Sequence, residues 1–318
     1  MSAYVMKLLC LSLASFFLIH LIAGLLVSLV SPMAVRFSQR ITARAAARFL
    51  LILRLFPTVV SLMLVAGLCV PSYLWLEPAA AAEDIGAWCL GAALLAVFIW
   101  GISFTRGARA VVGSFRYIRH FQKAGRKTAS GWIVEDAVPL LGLAGIIRSQ
   151  LVMSRALISA LTKDELEAAL RHERAHGVSR DNLKRLLILL APNVFPFVHG
   201  FRTLERGWAK LTEWSADDRA VAGNSDRSLS LASALVRVAR MNPAPQSSVL
   251  VASLLADGRD LWARVDRLLC LAEAEPRQVR RIPIFAVGGM VVMAAFTAIV
   301  LEPGTFHAVH ELLEHLVR

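Results

Sequence analysis

Four apolar stretches restrict the fold of this chain more than any other feature. Each is close to the roughly 20 residues that a helix needs to cross the roughly 30 Å hydrocarbon core of a membrane. The chain is 57% hydrophobic, with a mean hydropathy of +0.59, which is too apolar for an ordinary soluble domain. The first run is too long for a signal peptide. The sequence therefore predicts an α-helical integral membrane protein with four spans, at residues 8–30, 55–76, 86–104 and 282–301.

The charges beside the spans predict their orientation. Arginines lie between the first and second spans, whereas the loop between the second and third carries only acidic charges. Basic residues return after residue 104, and Arg280 and Arg281 directly precede the fourth span. Because Lys and Arg are retained on the cytoplasmic side, we expect an external N-terminus and a membrane region with three spans at 1–104. A cytoplasmic domain at 105–281 and a short external tail at 302–318 follow.

The net charge of +12 does not indicate a nucleic-acid partner. The cations crowd the ends of the spans instead of forming a basic face interleaved with aromatic residues. Arginines recur at every fourth position from Arg36 to Arg48, so on a helix they form one stripe that also fits anionic lipid headgroups. A topology signal alone is the favoured interpretation. The four cysteines include no CxxC pair, so the sequence predicts neither a disulfide framework nor a cysteine metal site.

Residues 105–281 combine a strand-like region with helical patterns. Residues 132–154 are rich in Val, Ile and Leu and are punctuated by Pro and Gly, which predicts several short strands. The residues after them are helical in pattern, so an α+β domain is expected. Thr162 and Glu165 form a capping box at the start of one helix, and Gly177 is predicted to end it.

The helix after Thr162 carries His172, Glu173 and His176 in HExxH order. Residues four apart lie on one helix face, so both imidazoles can point at one ion. Glu173 is offset from that face, where a carboxylate can take a proton from water at the metal. A charged, solvated helix face is the alternative interpretation. The spacing favours a zinc site for hydrolysis, with Glu173 as the catalytic base.

A hydrolytic zinc site needs a third protein ligand. The metzincin pattern requires glycine and histidine where this chain has Ser179 and Asn182, so that variant is excluded. Glu213 lies on a second predicted helix, with Asp217 one turn later on the same face. We therefore predict one Zn²⁺ per chain, held by the two histidines and Glu213, with Asp217 as a supporting acceptor.

Two further features of this region bear on the site and its membrane contact. Residues 186–201 are apolar, are interrupted by two prolines and have basic flanks on both sides. A hairpin or re-entrant segment that touches the membrane is predicted, and a buried soluble helix pair is the alternative. His199 and Arg219 are candidate stabilisers of a developing oxyanion, with His120 as a third. A structural role for His199 is favoured.

The tail at 302–318 contains a false match to the metal motif. His310, Glu311 and His315 are spaced one residue too far for both histidines to share a helix face as HExxH requires. A short amphipathic helix on the outer surface is predicted instead. A further hypothesis is that His307, His310 and His315 sense external metal or low pH. The leucines expected to face lipid are Leu312, Leu313 and Leu316.

The stretch LISALTKDELEAALRHERAHGVSRDNL, followed by EWSADDRAVAG, resembles the gluzincin-type membrane metallopeptidases of the BlaR/MecR antirepressor family. It is more distantly similar to the HtpX type. The resemblance covers residues 130–225 by motif and the whole chain by span order. It implies that the two histidines and Glu213 bind zinc, that Glu173 is the base and that Asp217 supports the site. It adds Asp181 as a family position and implies a multi-pass protein of the bacterial cytoplasmic membrane.

The chain also departs from that family. BlaR and MecR proteins continue after the fourth span into a penicillin-binding sensor domain, whereas this chain stops at Arg318, so β-lactam sensing is not expected. The alanine before Asp217 satisfies the HtpX pattern as well, so that motif does not separate the two types. The RDNL continuation and the strand region favour the antirepressor type.

The predicted function is that of a zinc-dependent membrane endopeptidase, a zincin-like enzyme with a cytoplasmic active site. By resemblance, the substrate is a cytoplasmic transcriptional repressor or the protein itself, and the output is signal transduction. The lipid bilayer is the other expected partner, and the oligomeric state is left open. A short strand before Thr162 is expected to hold the peptide by edge pairing. The alternatives are an HtpX-like quality-control protease and a catalytically silent membrane scaffold.

Overall fold

Three long apolar helical segments form the N-terminal part of the protein. The computed structural model describes residues 2–77, 85–128, 131–135, 139–147, 149–194, 199–241, 252–253, 261–273, 297–299 and 302–317. Helix α1 covers Ser2–Ser38, and α2 (Ala43–Leu64) continues through a π-helical turn (Val65–Cys69) into α3 (Val70–Leu76). Helix α4 covers Ala87–Ala124. The segments Tyr4–Ser38, Ala43–Leu76 and Ala87–Ala124 are each long and apolar enough to cross a membrane.

The surface of this helical bundle is apolar. Large side chains such as Leu29, Trp88 and Phe98 are 76%, 88% and 65% exposed. Water in contact with so much apolar surface would be costly, whereas lipid tails would not. Small residues such as Ala14 and Ala96 are fully buried between the helices, as is usual where membrane helices approach closely. Three of the predicted spans are thus present, and the fourth lies outside the described residues except for 297–299.

The described residues form a sheet of five strands, four of which follow α4 directly in the chain. Its strands are β1 (Gly125–Thr128), β2 (Gly131–Val134), β3 (Leu141–Ala144), β4 (Gln150–Ser154) and β5 (Ala252–Ser253). Their order across the sheet is β1-β2-β4-β3-β5. Strands β2 and β4 are parallel, and the other neighbouring pairs are antiparallel. The predicted strands at 132–154 are confirmed, but the sequence patterns did not indicate β1.

The open edge that the sheet offers before Thr162 lies away from the HExxH helix. Strand β4, the last strand before this residue, is interior, between β2 and β3. Strand β3 lies beside the HExxH helix, where a methyl group on Gly177 would contact Leu143 at 3.4 Å, but its second edge pairs with β5. Among the described strands that precede Thr162, only β1 ends the sheet, and it lies at the far side from β3.

Six helices pack with the sheet and the bundle. They are α5 (Arg155–Ala160), α6 (Lys163–Ser179), α7 (Asp181–Leu190), α8 (His199–Val221), α9 (Ser225–Met241) and α10 (Leu261–Glu273). Both hydrogen bonds of the predicted capping box of α6 are present. The Thr162 side chain accepts from the backbone N–H of Glu165, and the Glu165 side chain accepts from the backbone N–H of Thr162. The predicted end at Gly177 is wrong. The helix runs to Ser179 and ends at Arg180, which takes the left-handed conformation with φ 54°, usually a glycine position.

Helices α7 and α8 form a hairpin that reaches far along α1. The backbone oxygen of Pro192, beyond the end of α7, lies 3.2 Å from Nε2 of His20, near the middle of α1. Helix α8 then returns along α1. A methyl group on Gly200 would lie 2.6 Å from Cα of Ser28, so only glycine permits this approach. The described parts of the apolar segment predicted at 186–201, which leave out 195–198, therefore lie among the long helices.

A buried arginine fixes this hairpin in the bundle. Arg54 of α2 is 1% exposed, and its Nε donates to Oε1 of Glu205 on α8 at 2.8 Å. Its Nη2 donates to the backbone oxygens of Ile188 and Ala191 at 3.4 Å, which satisfies carbonyl groups that the end of α7 leaves without helical partners. One cation thus connects α2 with both arms of the hairpin.

Helix α11 (Pro303–Val317) packs against the N-terminal ends of α1 and α4 and the C-terminal end of α3. Ser72 donates to the backbone oxygen of Phe306 at 2.6 Å. The prediction of a helix in the tail is confirmed, but the prediction that Leu313 faces lipid is wrong. Leu313 is 2% exposed because it fits into the cluster of Leu11, Tyr73 and Ala93, whereas Leu312 is 68% exposed.

We expect Arg54→Leu to destabilise the protein by about 3 kcal/mol, because removal of one partner from a buried ion pair leaves unpaired polar groups in the interior. Thermal and denaturant unfolding in detergent measures this change. Arg40→Leu, at an exposed arginine beyond α1, is the matched control and should cost less than about 1 kcal/mol. Equal stability of the Arg54→Leu variant and the wild type would contradict the anchoring role of Arg54.

Candidate metal centre and active site

The two histidines of the HExxH motif lie on one buried face of α6. Nε2 of His172 and Nε2 of His176 are 3.1 Å apart, and both side chains are almost without exposed surface. The start of α6 is held by the capping box and by Glu165, whose Oε1 accepts from Ser233 on α9 at 2.5 Å. Local helix geometry therefore aligns the imidazoles, and the contact with α9 helps to set the direction in which the helix points.

Helix α8 brings Glu213 to these histidines. Its Oε2 lies 3.4 Å from Nε2 of His172, and its Oε1 lies 3.6 Å from Nε2 of His176. A tetrahedral zinc ion with ligands at about 2.0–2.2 Å separates neighbouring ligand atoms by about 3.3–3.6 Å. The three predicted ligands are thus brought together at spacings that fit one such ion.

Two buried carboxylates at this point make no hydrogen bonds with the described residues. They are those of Glu173 and Glu213, whose oxygens are all buried. Glu213 has cations beside it, Arg264 at 3.3 Å and Arg185 at 3.8 Å. A buried carboxylate that lacks hydrogen bonds is costly unless cations compensate it. Two imidazole nitrogens and a carboxylate oxygen form a ligand set typical of zinc in hydrolases. The residues present therefore fit a divalent metal ion, with Glu173 beside it.

Each histidine is oriented by a carboxylate behind it. Oδ1 of Asp217 lies 2.9 Å from Nδ1 of His172. Oδ2 of Asp181 lies 2.9 Å from Nδ1 of His176. Such contacts place the proton on Nδ1 and leave Nε2 to face the metal position. The structure thus places the two residues expected to support the site directly behind the two histidines.

Arg264 of α10 is a buried member of this cluster that the sequence patterns did not reveal. Its Nε and Nη2 donate to the two oxygens of Asp217 at 2.9 and 2.7 Å. Its Nη1 lies 3.3 Å from Oε2 of Glu213. This two-point contact holds Asp217 against His172. The helical pattern of α10 signals a buried face, but nothing local distinguishes Arg264 from Arg267, which instead pairs with Asp218.

Burial and charge act against each other in this cluster. Burial raises the pKa of Glu173 to about 7. Burial disfavours a charged His176, but Glu213 and Asp181 outweigh it and raise its pKa to about 10. Burial likewise opposes a charged Asp217, but Arg264 and His172 lower its pKa to about 2. The raised pKa of His176 indicates that the cluster carries excess negative charge. A metal ion that displaces the protons of the histidines would neutralise this charge.

The other candidate site residues lie elsewhere. His199 begins α8, and at 1.5 Å per residue the helix from there to Glu213 is about 21 Å long, which is beyond the reach of a histidine side chain. Arg219 lines a cavity on a different face of α8 from Glu213. His120 is exposed on α4. The structure therefore brings none of the three proposed oxyanion donors to the metal centre.

The tail histidines do not form one site either. Nε2 of His310 lies 3.8 Å from Oε2 of Glu77 and 3.5 Å from Oε1 of Glu314, but Glu77 is already paired with Lys7 at 2.6 Å. His307 and His315 are exposed. Among the described residues, His310 groups with Glu77 and Glu314 as candidate metal ligands, and neither His307 nor His315 belongs to that group.

Comparison with known families supports a peptidase. Residues 143–242 match the family described as Peptidase family M48, a range that contains α6, α7, α8 and α9. No curated protein matches the chain. The match supports the broad M48 family of zinc-dependent peptidases, and together with the three apolar helices it supports a membrane-associated metallopeptidase. It does not distinguish the BlaR/MecR type from the HtpX type.

We expect about one zinc ion per chain in the purified protein and little or none in Glu213→Gln, because this change removes the only carboxylate ligand of the predicted set. Asp217→Asn should bind zinc about 10- to 100-fold more weakly, since it alters the group that orients His172. Metal analysis and competition with a chelator measure both effects. Asp218→Asn, the neighbouring position, is the control. Full zinc occupancy in Glu213→Gln would show that this residue is not a ligand.

Arg264→Met is expected to lower the free energy of unfolding by about 3 kcal/mol or more, because it leaves the buried Asp217 carboxylate without its cation. Arg267→Met, one turn away on α10, removes an ion pair with the more exposed Asp218 and should cost less than about 1 kcal/mol. Denaturant unfolding of the metal-free proteins separates the two. Similar losses in both variants would contradict the special role of Arg264.

Proposed function

We propose that this protein is an integral membrane zinc endopeptidase with a cytoplasmic active site that performs regulatory proteolysis. The observation that carries the proposal is the buried cluster of two histidines and Glu213, with Glu173 beside it, in a region that matches a peptidase family. By resemblance, the substrate is a cytoplasmic transcriptional repressor or the protein itself.

The residues of the site divide the chemistry among them. His172, His176 and Glu213 would hold Zn²⁺, which when bound acts as a Lewis acid on water and on the substrate carbonyl. Glu173 accepts a proton from the attacking water and returns it to the departing amine. Asp217 and Asp181 keep the imidazoles in one tautomer and orientation.

The two ends of the bundle support the proposed topology. The sheet and the metal cluster follow the C-terminal end of α4, whereas α11 packs at its N-terminal end. The metal cluster and α11 thus lie at opposite ends of the bundle, and the apolar residues 282–301 stand between them in the sequence. Arginines near a membrane span are retained on the cytoplasmic side. Since arginines lie near the junction of α1 and α2, this orientation makes the site cytoplasmic and α11 external. The hairpin of α7 and α8 then enters the membrane from the inner side.

The closed state of the centre favours regulation over constitutive degradation. His172 and Glu173 have 0% exposed surface, and Arg264 of α10 contacts both Asp217 and Glu213. A peptide reaches Glu173 only if the residues around it move, and a step of this kind is one that a signal can control. An HtpX-like quality-control protease uses the same chemistry, and breadth of substrates distinguishes it.

We expect Glu173→Gln to retain zinc but to lose peptidase activity by about 100-fold or more, because general base catalysis of this kind contributes about 10²–10⁴-fold. Labelling of new protein N-termini in cells that produce wild type or variant reveals the substrates. Glu167→Gln, an exposed position on the same helix, is the control.

The pattern of cleavage separates the three functions. One or a few cytoplasmic proteins cleaved only by the wild type would support regulatory proteolysis, and cleavage of many unrelated proteins would support quality control. Identical N-termini and cellular function in wild type and Glu173→Gln, with zinc bound in both, would contradict a peptidase and leave a membrane scaffold.

A further inference from the structure

A cavity with a volume of about 180 Å³ lies between the start of α2, the end of α6, the first turn of α7 and the second half of α8. Four cationic side chains line it: Arg44, Arg48, Lys184 and Arg219. Among the described lining residues the acidic one is Asp181, which is already paired with Lys184 at 2.7 Å and with His176 at 2.9 Å. Arg48 and Arg219 add positive charge beyond that pair, so the chemistry of the cavity is that of an anion site.

The shape and donors of the cavity fit a phosphate group. A volume of about 180 Å³ is far larger than the roughly 10–15 Å³ that admits one water molecule. Three residues with hydroxyl groups, Ser179, Thr212 and Ser215, also line the cavity. Guanidinium groups and hydroxyls from separate elements are the donors with which proteins surround phosphate oxygens.

Arg219, on this wall, has a guanidinium nitrogen that lacks a hydrogen bond. Its Nη1 is buried and has no hydrogen-bond partner among the described residues. A buried guanidinium nitrogen without an acceptor is unfavourable, and the cavity that Arg219 lines is where an anionic acceptor would fit. The sequence placed Arg219 as a candidate oxyanion donor, but the structure turns it toward this cavity instead.

We propose that this cavity is a binding site for a phosphate group. Arg44 and Arg48 lie in the first turns of α2, at the end of a membrane-crossing segment, which is the level of lipid headgroups. The phosphate belongs either to an anionic phospholipid or to a soluble phosphate compound. Asp181 lines the cavity and also contacts both Lys184 and His176. A phosphate bound to Lys184 would weaken the pair of Lys184 with Asp181 and so change the contact of Asp181 with His176. This effect on the metal centre rests on the proposed peptidase function.

The test measures binding in wild type and in two double variants with equal loss of charge. Arg48→Gln with Arg219→Gln removes two cations of the cavity. Arg36→Gln with Arg40→Gln removes two exposed cations of the same membrane side that do not line it. The proteins are placed in nanodiscs of phosphatidylcholine, with or without phosphatidylglycerol, and in detergent with inorganic phosphate. Native mass spectrometry measures retained phosphatidylglycerol, and the thermal midpoint measures stabilisation by inorganic phosphate.

We expect the cavity variant to bind about tenfold more weakly or worse, because two charge-assisted hydrogen-bond donors are lost. The control variant should remain within about twofold of the wild type. A response to phosphatidylglycerol alone identifies a lipid headgroup as the source, and a response to inorganic phosphate identifies a soluble compound; both support the site.

Equal weakening in the two variants would show unspecific attraction of anions to a basic surface and would overturn the proposal. Absence of binding by the wild type in both arms would overturn it as well. The thermal midpoint without phosphate verifies that the cavity variant is folded, and Arg48→Lys with Arg219→Lys serves as a milder second variant. No peptide substrate is used, so failure of this site leaves the proposed peptidase function intact, and the reverse also holds.

Discussion

The continuity of helix α8 is the constraint on which the rest of the structure depends. Its first turns lie against Ser28 of α1 at Gly200, Glu205 pairs with Arg54 of α2, and Glu213 and Asp217 follow two and three turns later. An unbroken helix transmits position along its axis with little flexibility. The position of the hairpin among the long helices therefore sets the position of Glu213 and Asp217 along the axis of α8. The remaining requirement is that the sheet holds α6 against these two carboxylates.

The metal centre brings together buried carboxylates and cations from distant parts of the chain, and their charges partly compensate one another. Four carboxylates, those of Glu173, Asp181, Glu213 and Asp217, lie in or beside a buried cluster. Arg264 and Lys184 compensate two of them from outside the histidine pair. The oxygens of Glu173 and Glu213 remain without hydrogen bonds, which is the state that a divalent cation would relieve. The same negative charge raises the pKa of His176.

The cationic residues around the α7–α8 hairpin and the metal centre serve separate physical purposes. Arg54 is buried and closes the end of α7, Arg264 is buried and holds Asp217, and Arg219 lines an open cavity with Arg44 and Arg48. Formal charge alone suggests one basic surface near lipid. Burial separates these groups, because a cation that has lost water must find acceptors within the protein, whereas one that lines a cavity can accept an outside anion.

The sequence by itself determined the features that depend on local spacing. Apolar length indicated four spans, of which three are long apolar helices among the described residues. The Thr162 and Glu165 pair indicated the start of α6, and the four-residue period placed His172 with His176 and Glu213 with Asp217. Tertiary structure alone decided that Arg264 supports Asp217 across 47 residues, that Arg219 faces away from the site, that Arg180 instead of Gly177 ends α6, and that Leu313 is buried. Helix periodicity repeats within a few residues and leaves a visible pattern, but which faces meet is set by packing between segments far apart in the chain, which leaves no such trace.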